Sequence, residues 1–275
     1  MEDSPRVVGS PLRRSSESLS WGLRDAATMA TIRREAERLV KESPLLGGAM
    51  RSQILEASDL SAAIGNVIAA RLASSSLDET TLREMCVCEL RGDPRPGADV
   101  EAILEKDPAA ISRLQIVTCL KGFHAVQAFR VAHSLWKSGS FAQKHAALAL
   151  QNRASELWGV DVHPAAQIGG GLLMDHATGV VIGETAVIGH DCTILHGVTL
   201  GGTGKERGDR HPKIGDSVVL GAGATVLGNI RVNDGATVGS QAVVTKEVPE
   251  GMTVVGLNKL LDPNISPTRR ESVKK

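Results

Sequence analysis

The stretch "IGETAVIGHDCTILHGVTL" (residues 182–200) carries an aliphatic residue at every sixth position: Ile182, Ile188, Ile194 and Leu200. Four places after the first three of these stand Ala186, Cys192 and Val198, all small or β-branched. A helix repeats every 3.6 residues and a lone strand every two, so a period of six fits neither. It fits a parallel β-helix, in which short strands stack into a prism and the leading aliphatics fill its axis. The same pattern resumes at Ile214, Leu220, Val226, Val232, Val238 and Val244, with Val218, Ala224, Ala236 and Ala242 four places on. Upstream it extends back through Met174 and Ile168 to Val162.

Two irregularities interrupt this period. An eight-residue step separates Met174 from Ile182, and the interval from Leu200 to Ile214 exceeds one hexad by eight residues. A solenoid whose interior is filled by its leading residues displays chemistry only at corners and insertions. The first irregularity holds Asp175 and His176, and the second holds Lys205, Arg210 and His211 as an extruded loop. With three hexads to a turn and about 4.8 Å between stacked strands, Asp161 is expected one turn below His176, where a carboxylate orients the imidazole.

The chain outside the repeat behaves differently. From Met29 to Trp158 the apolar spacing is helical: Met29, Ile32, Ala36, Leu39 and Val40 form one stripe, and Leu60, Ile64, Val67, Ile68 and Leu72 another, with Arg71 contributing its aliphatic stem. Further helices are expected over 99–106, 110–138 and 141–157. The predicted organisation is a leader over 1–28 that is disordered, a helical domain over 29–158, a β-helix over 159–256 and a disordered tail over 257–275. Lys plus Arg and Asp plus Glu both number 31 in 275 residues, which gives no basic face for nucleic acid or for an acidic membrane surface. No apolar run approaches the roughly 20 residues of a membrane span. Cys86, Cys88, Cys119 and Cys192 form no C-x-x-C pair and read as free thiols of a reducing compartment. The expected location is the cytoplasm, with plastid or mitochondrion the alternative if the Arg- and Ser-bearing leader acts as a transit peptide.

Several phrases together resemble one family: "KDPAA" (106–110), "KGFHAVQAFRVAHSLW" (121–136), "LALQNRASELWGVDVHPAAQIG" (148–169), "MDHATGVVIGETAVIG" (174–189), "HGVTLGGTGKERGDRHPKIG" (196–215) and "GAGATVLGNI" (221–230). That family is the serine O-acetyltransferases, hexapeptide-repeat acyltransferases that move acetyl from acetyl-CoA to the hydroxyl of L-serine. The resemblance implies an α+β multidomain fold, an N-terminal α-helical domain followed by a left-handed parallel β-helix. It also implies homotrimers that pair into hexamers through the helical domain, with sites shared between chains.

The chemistry of such a site can be argued from the residues. A serine hydroxyl needs a base working near neutral pH, and histidine is suited to that task. His176, beside Asp175 and with Asp161 as orienter, supplies it. A zwitterionic substrate needs a fork for its carboxylate, which Arg210 provides, and an anion for its ammonium, for which Asp175 fits. The resemblance adds Asp107 on the ammonium, His211 as a second active-site histidine, and Gly202 and Ala222 facing acetyl-CoA; Lys205 is the candidate for a phosphate. No metal is required. His190 and His196 read as structural stacking residues. Three alternatives stand beside this reading: a hexapeptide acyltransferase for a sugar or amine, a zinc lyase built on His176, His196 and His211, and a catalytically weak subunit. In the family the C-terminal tail docks into O-acetylserine sulfhydrylase through a terminal isoleucine. Here the last residues read "LNKLLDPNISPTRRESVKK" (257–275), which predicts no stable complex with that partner and a weakened closure over acetyl-CoA.

Overall fold

A computed structural model describes residues 14–205, 207–256 and 259–261. Eight helices come first: α1 Arg14–Glu42, α2 Pro44–Met50, which runs on into a π-helical turn Arg51–Leu55, α3 Leu60–Leu72, α4 Glu79–Leu90, α5 Arg95–Lys106, α6 Arg113–Cys119, α7 Lys121–Ser138 and α8 Phe141–Trp158. Their starts follow local capping rules. Asp59, Asp78, Ser112 and Ser140 each accept a backbone N–H three residues on, a contact worth about 1 kcal/mol. Gly139 (φ 84°) and Gly159 (φ 66°) end α7 and α8 in the left-handed region that glycine adopts freely.

Three expectations are corrected here. Helix α1 begins at Arg14, inside the stretch read as a disordered leader. No proline stands between Pro11 and Pro44, and Thr28 is buried with its hydroxyl donating to Glu101 Oε1 at 2.6 Å, so this segment docks on α5. The single helix expected over 110–138 is two, because Ser112 caps a new start and Leu120 is extended (φ −82°, ψ 108°). Arg71 lies exposed, and its guanidinium donates to the Thr118 carbonyl at 2.9 Å at the end of α6. The apolar members of both stripes are buried or packed against the core.

The strands are β1 Val160–Val162, β2 Gln167–Ile168, β3 Leu173–Met174, β4 Val180–Ile182, β5 Val187–Ile188, β6 Thr193–Ile194, β7 Thr199–Gly201, β8 Lys213–Ile214, β9 Val219–Leu220, β10 Thr225–Leu227, β11 Arg231–Val232, β12 Thr237–Val238, β13 Val243–Val244, β14 Thr253–Val255 and β15 Lys259–Leu261. They stack as three sheets, β1-β4-β7-β10-β13, β2-β5-β8-β11 and β3-β6-β9-β12-β14-β15, each strand pairing with the third one on in sequence as far as β13. The result is a three-sided parallel β-helix. Ile182 sits over Leu200, Ile188 over Ile214 and Ile194 over Leu220, and every leading aliphatic from Ile182 to Val244 is buried. The inserted loop between β7 and β8 does not break the stack, because β5 pairs directly with β8. The tail also differs from expectation over 259–261, where β15 pairs antiparallel with β14 along its open edge; residues 262–275 lie outside the described residues.

The two halves are joined by buried polar contacts. Arg130 of α7 and Asp99 of α5, both with fully buried side chains, pair at 2.7 Å. Arg130 also donates to Gly169 O (2.9 Å), and Asp99 accepts from Gln127 Nε2 and from the Leu172 N–H (both 2.9 Å). Lys106, at the end of α5, donates to Gly171 O and Asp191 O at 3.1 and 2.7 Å. These bonds dock the helices onto the first turns of the β-helix.

Candidate active site

The corner between β3 and β4 carries Asp175 and His176. It holds two more residues than an ordinary hexad corner, and the chain fits them by turning His176 (φ 56°) and Ala177 (φ 57°) into the left-handed region. For non-glycine residues that conformation costs about 1–2 kcal/mol each and persists only where neighbours over-determine it. Those neighbours are present. The Asp175 N–H donates to Ile194 O at 2.8 Å, Ala177 is fully buried, and Lys121 donates to Thr178 Oγ1. Gly122, in the first turn of α7, lies so close to the Met174 carbonyl that any Cβ there would overlap it. The corner presents the His176 side chain at 73% exposure, with Nε2 3.6 Å from Asp175 Oδ2. That distance is right for a charge contact and too long for a hydrogen bond. The His196 ring, one turn on, packs edge-on against it, centroids 5.8 Å apart.

The next corner, between β4 and β5, receives the far end of the inserted loop. His211 is buried against Gly183, whose hydrogen faces the ring where a side chain would collide with it. Its Nδ1 lies 3.1 Å from the Thr185 N and 2.8 Å from Thr185 Oγ1. Burial, then the cations of Arg210 and Lys213, hold its pKa below the usual imidazole range, so it is neutral at neutral pH. Arg210 Nη2 donates to Glu184 Oε2 at 2.8 Å and Nη1 to Gly208 O at 3.0 Å. The Arg210 hydrogen bond in turn holds Glu184 below the usual carboxylate range. Lys213 fastens the loop by donating to Thr185 O, Asp209 Oδ1 and His211 O at 2.7, 2.5 and 2.9 Å.

Comparison with known proteins settles the family. A family model described as "Serine acetyltransferase, N-terminal" matches residues 29–128, and one described as "Bacterial transferase hexapeptide (six repeats)" matches 211–246. Serine acetyltransferase 2 of Arabidopsis thaliana is 48% identical over 229 residues, covering 82% of this chain and 70% of that protein. The chain belongs to the serine acetyltransferase family. The serine acetyltransferase of Haemophilus influenzae is 44% identical over 82% of this chain and 85% of its own length. Among solved structures, soybean serine acetyltransferase complexed with serine superposes with a TM-score of 0.83 at 45% identity, over 86% of this chain and 99% of that one. The Brucella abortus serine acetyltransferase in complex with coenzyme A gives 0.82 at 42% identity, over 86% and 95%. The fold class is that of the serine acetyltransferases, an N-terminal helical region followed by a left-handed parallel β-helix of hexapeptide repeats.

The candidate site residues of this serine acetyltransferase family member are distributed unevenly. Asp175 and His176 share one corner of the prism, while Arg210 and His211 share the next. Asp161 is not stacked under His176. The register puts it beneath Val181, five residues beyond His176, and its Oδ1 accepts from Gln151 Nε2 at 2.6 Å. Asp107 caps the end of α5 and accepts the Ala109 N–H at 2.8 Å, next to the Lys106 that is tied to the β-helix. A Cβ placed on Gly202 would lie 3.4 Å from Arg210 O, and Lys205 is exposed on the loop. Ala222 is half-buried at the corner between β9 and β10, two turns beyond His176. Among the described residues no group of three or more His, Cys, Asp or Glu is placed to hold a metal ion. His190 has the stacking part expected of it, its Nδ1 accepting the Gly170 N–H at 3.2 Å. Sequence reasoning missed Thr185, Glu184 and Gln151. Thr185 and Glu184 touch Arg210 and His211 only because the stack returns the chain to the same corner after the insertion.

Proposed function

We propose that this chain transfers the acetyl group of acetyl-CoA to the hydroxyl of L-serine, giving O-acetyl-L-serine and CoA. The observation that carries the reading is the contrast between two histidines on adjacent corners: an exposed imidazole beside a carboxylate, and a buried neutral one beside an arginine fork. A base and a donor are what acyl transfer to an alcohol requires. In this mechanism His176 removes the proton from the serine hydroxyl as its oxygen attacks the thioester carbon. The C–S bond then breaks, and His176 returns the proton to the departing CoA sulfur. His211 donates to oxygen, either on serine or where charge develops on the carbonyl. Arg210 takes the serine carboxylate, and Asp175 with Asp107 takes the ammonium. Asp161 stabilises the imidazolium electrostatically.

For acetyl-CoA, the backbone at Gly204 (φ 75°) and Gly208 (φ 82°) has nothing within 4 Å of a would-be side chain, which suits the close approach of a pantetheine arm. Gly202 and Ala222 line that approach, and Lys205 meets a phosphate. Because His176 and Arg210 stand on different corners of one prism, a complete site takes the two corners from adjacent chains of a three-fold assembly. The four unpaired cysteines agree with a reducing compartment. Among the described residues no helix is long and apolar enough to cross a membrane.

Thiol release from acetyl-CoA, measured with and without L-serine and beside a galactoside and an amino sugar, tests this reading. Release that depends on L-serine is the expected outcome. Release of equal rate without serine, or with a sugar in its place, would overturn it.

A further inference from the structure

Thr185 takes no part in the chemistry above, yet both residues of the second corner are fastened to it. Its Oγ1 accepts the N–H of Arg210 and the N–H of His211, each at 3.0 Å. Two accepted bonds fill the hydroxyl's two lone pairs, so its own proton is left to donate. His211 Nδ1 lies 2.8 Å from that hydroxyl and 3.1 Å from the Thr185 backbone nitrogen. A backbone N–H can only donate, so Nδ1 faces it as an acceptor, and the proton of the neutral ring sits on Nε2. Asp209 competes for the hydroxyl proton, but the backbone N–H fixes the polarity at Nδ1 either way. Protonating the ring would set Nδ1–H against Thr185 N–H. The charged groups around it act in the same sense: Arg210, Lys213 and His163 oppose a positive ring, and Glu184 alone favours one. The ring lies against Gly183, where any Cβ would overlap it.

We propose that Thr185 is a positioning residue that locks His211 as the neutral Nε2–H tautomer, making His211 a hydrogen-bond donor to a substrate oxygen and leaving His176 as the only base of the site. This assignment rests on the acetyl-transfer reading for its substrate, though not for the tautomer. No proton leaves His211 during the reaction. Its Nε2–H is shared with the oxygen and stays on nitrogen throughout.

The test has a spectroscopic and a kinetic arm. In the full chain labelled with 15N-histidine, His211 is expected to show a pyridine-like Nδ1 and a pyrrole-like Nε2 at neutral pH, and to keep that pattern below the pH at which a free imidazole protonates. Thr185→Val should raise its titration midpoint, and Thr185→Ser should restore it. His211→Gln sets an amide N–H near the Nε2 position without any basicity and should keep activity within about tenfold, whereas His211→Asn, with its amide at the Nδ1 position, should lose on the order of 10²–10³, as for removal of an oxyanion donor. A pyrrole-like Nδ1, an imidazolium at neutral pH, an unmoved midpoint in Thr185→Val, or a His211→Gln as inactive as His211→Asn would each overturn the proposal. A locked His211 in a chain without serine-dependent thiol release would uphold the lock and overturn the acetyl-transfer reading instead.

Discussion

His176 stands on a left-handed backbone, open to solvent, with its ring within 3.6 Å of a carboxylate. In the proposed role of base no neighbour can replace it, since His196 packs against it and His211 is held neutral by burial and by two cations. His176→Ala should therefore lower turnover by on the order of 10²–10⁴ with circular dichroism and assembly unchanged. Turnover within threefold of the parent would contradict the assignment. Arg210→Lys separates the two substrates. A lysine ammonium offers a point charge where the guanidinium offers a planar fork already oriented by Glu184, so KM for serine should rise at least tenfold while that for acetyl-CoA moves little. Equal rises would move Arg210 off the carboxylate. Asp175, His176, Arg210 and His211 were legible in the sequence because charged residues stand out in a run that is otherwise small and aliphatic. Thr185 was not, since a threonine in a hexad reads as any other corner residue until the loop is folded back over it. Asp161 was legible as a candidate, but a full turn from it reaches Val181 and not His176, so the period alone did not bring the two together.

Among the elements, α7 joins the helical half to the β-helix through a buried charge. Arg130 and Asp99 bury an ion pair whose remaining donors and acceptors are met by Gln127, Gly169 and Leu172. Removing one partner leaves the other charged and dry, so Arg130→Leu should cost about 3–5 kcal/mol, read as a fall in the urea midpoint. A second device on α7 responds to pH. His124 is 1% exposed, its Nε2 is 2.8 Å from Val117 O, and burial lowers its pKa from 6.5 to about 4. Between those values the unfolded chain binds more protons than the folded one. Stability is then complete above about pH 6.5 and falls as pH drops toward 4, by about 3 kcal/mol from this residue. Urea midpoints at pH 7 and pH 4.5 should differ more for the parent than for His124→Gln, which keeps a donor and cannot charge. A parallel loss in both would assign the acid sensitivity elsewhere. The β-strands were readable from period alone, since the leading aliphatics that set the hexads are the same residues that fill the axis. The break at Leu120 was not, because no proline marks it and Gly122 falls inside the restarted helix, where it packs on the Met174 carbonyl.

At the scale of the whole molecule, the prism keeps its two chemical corners apart by one sheet, β1-β4-β7-β10-β13. If each site is completed by a neighbouring chain, two inactive variants can rescue one another. Co-refolding His176→Ala with Arg210→Ala chains in equal amounts should recover up to about a quarter of the parent activity, since random cyclic assembly leaves that share of sites with both corners intact. No recovery would place each whole site within one chain.

The reversed strand at the end of the prism has a separate consequence. Each β-helix turn is a template for the next, with its row of N–H and C=O groups ready for another parallel strand, and an uncovered last turn invites a second molecule to continue the stack. Here β15 lies antiparallel on β14, with Val254 opposite Leu260, and occupies that row with a strand running the other way. On this one of its three faces the prism thereby closes its own edge against a further parallel strand, the kind of continuation by which stacked strands grow into a fibril.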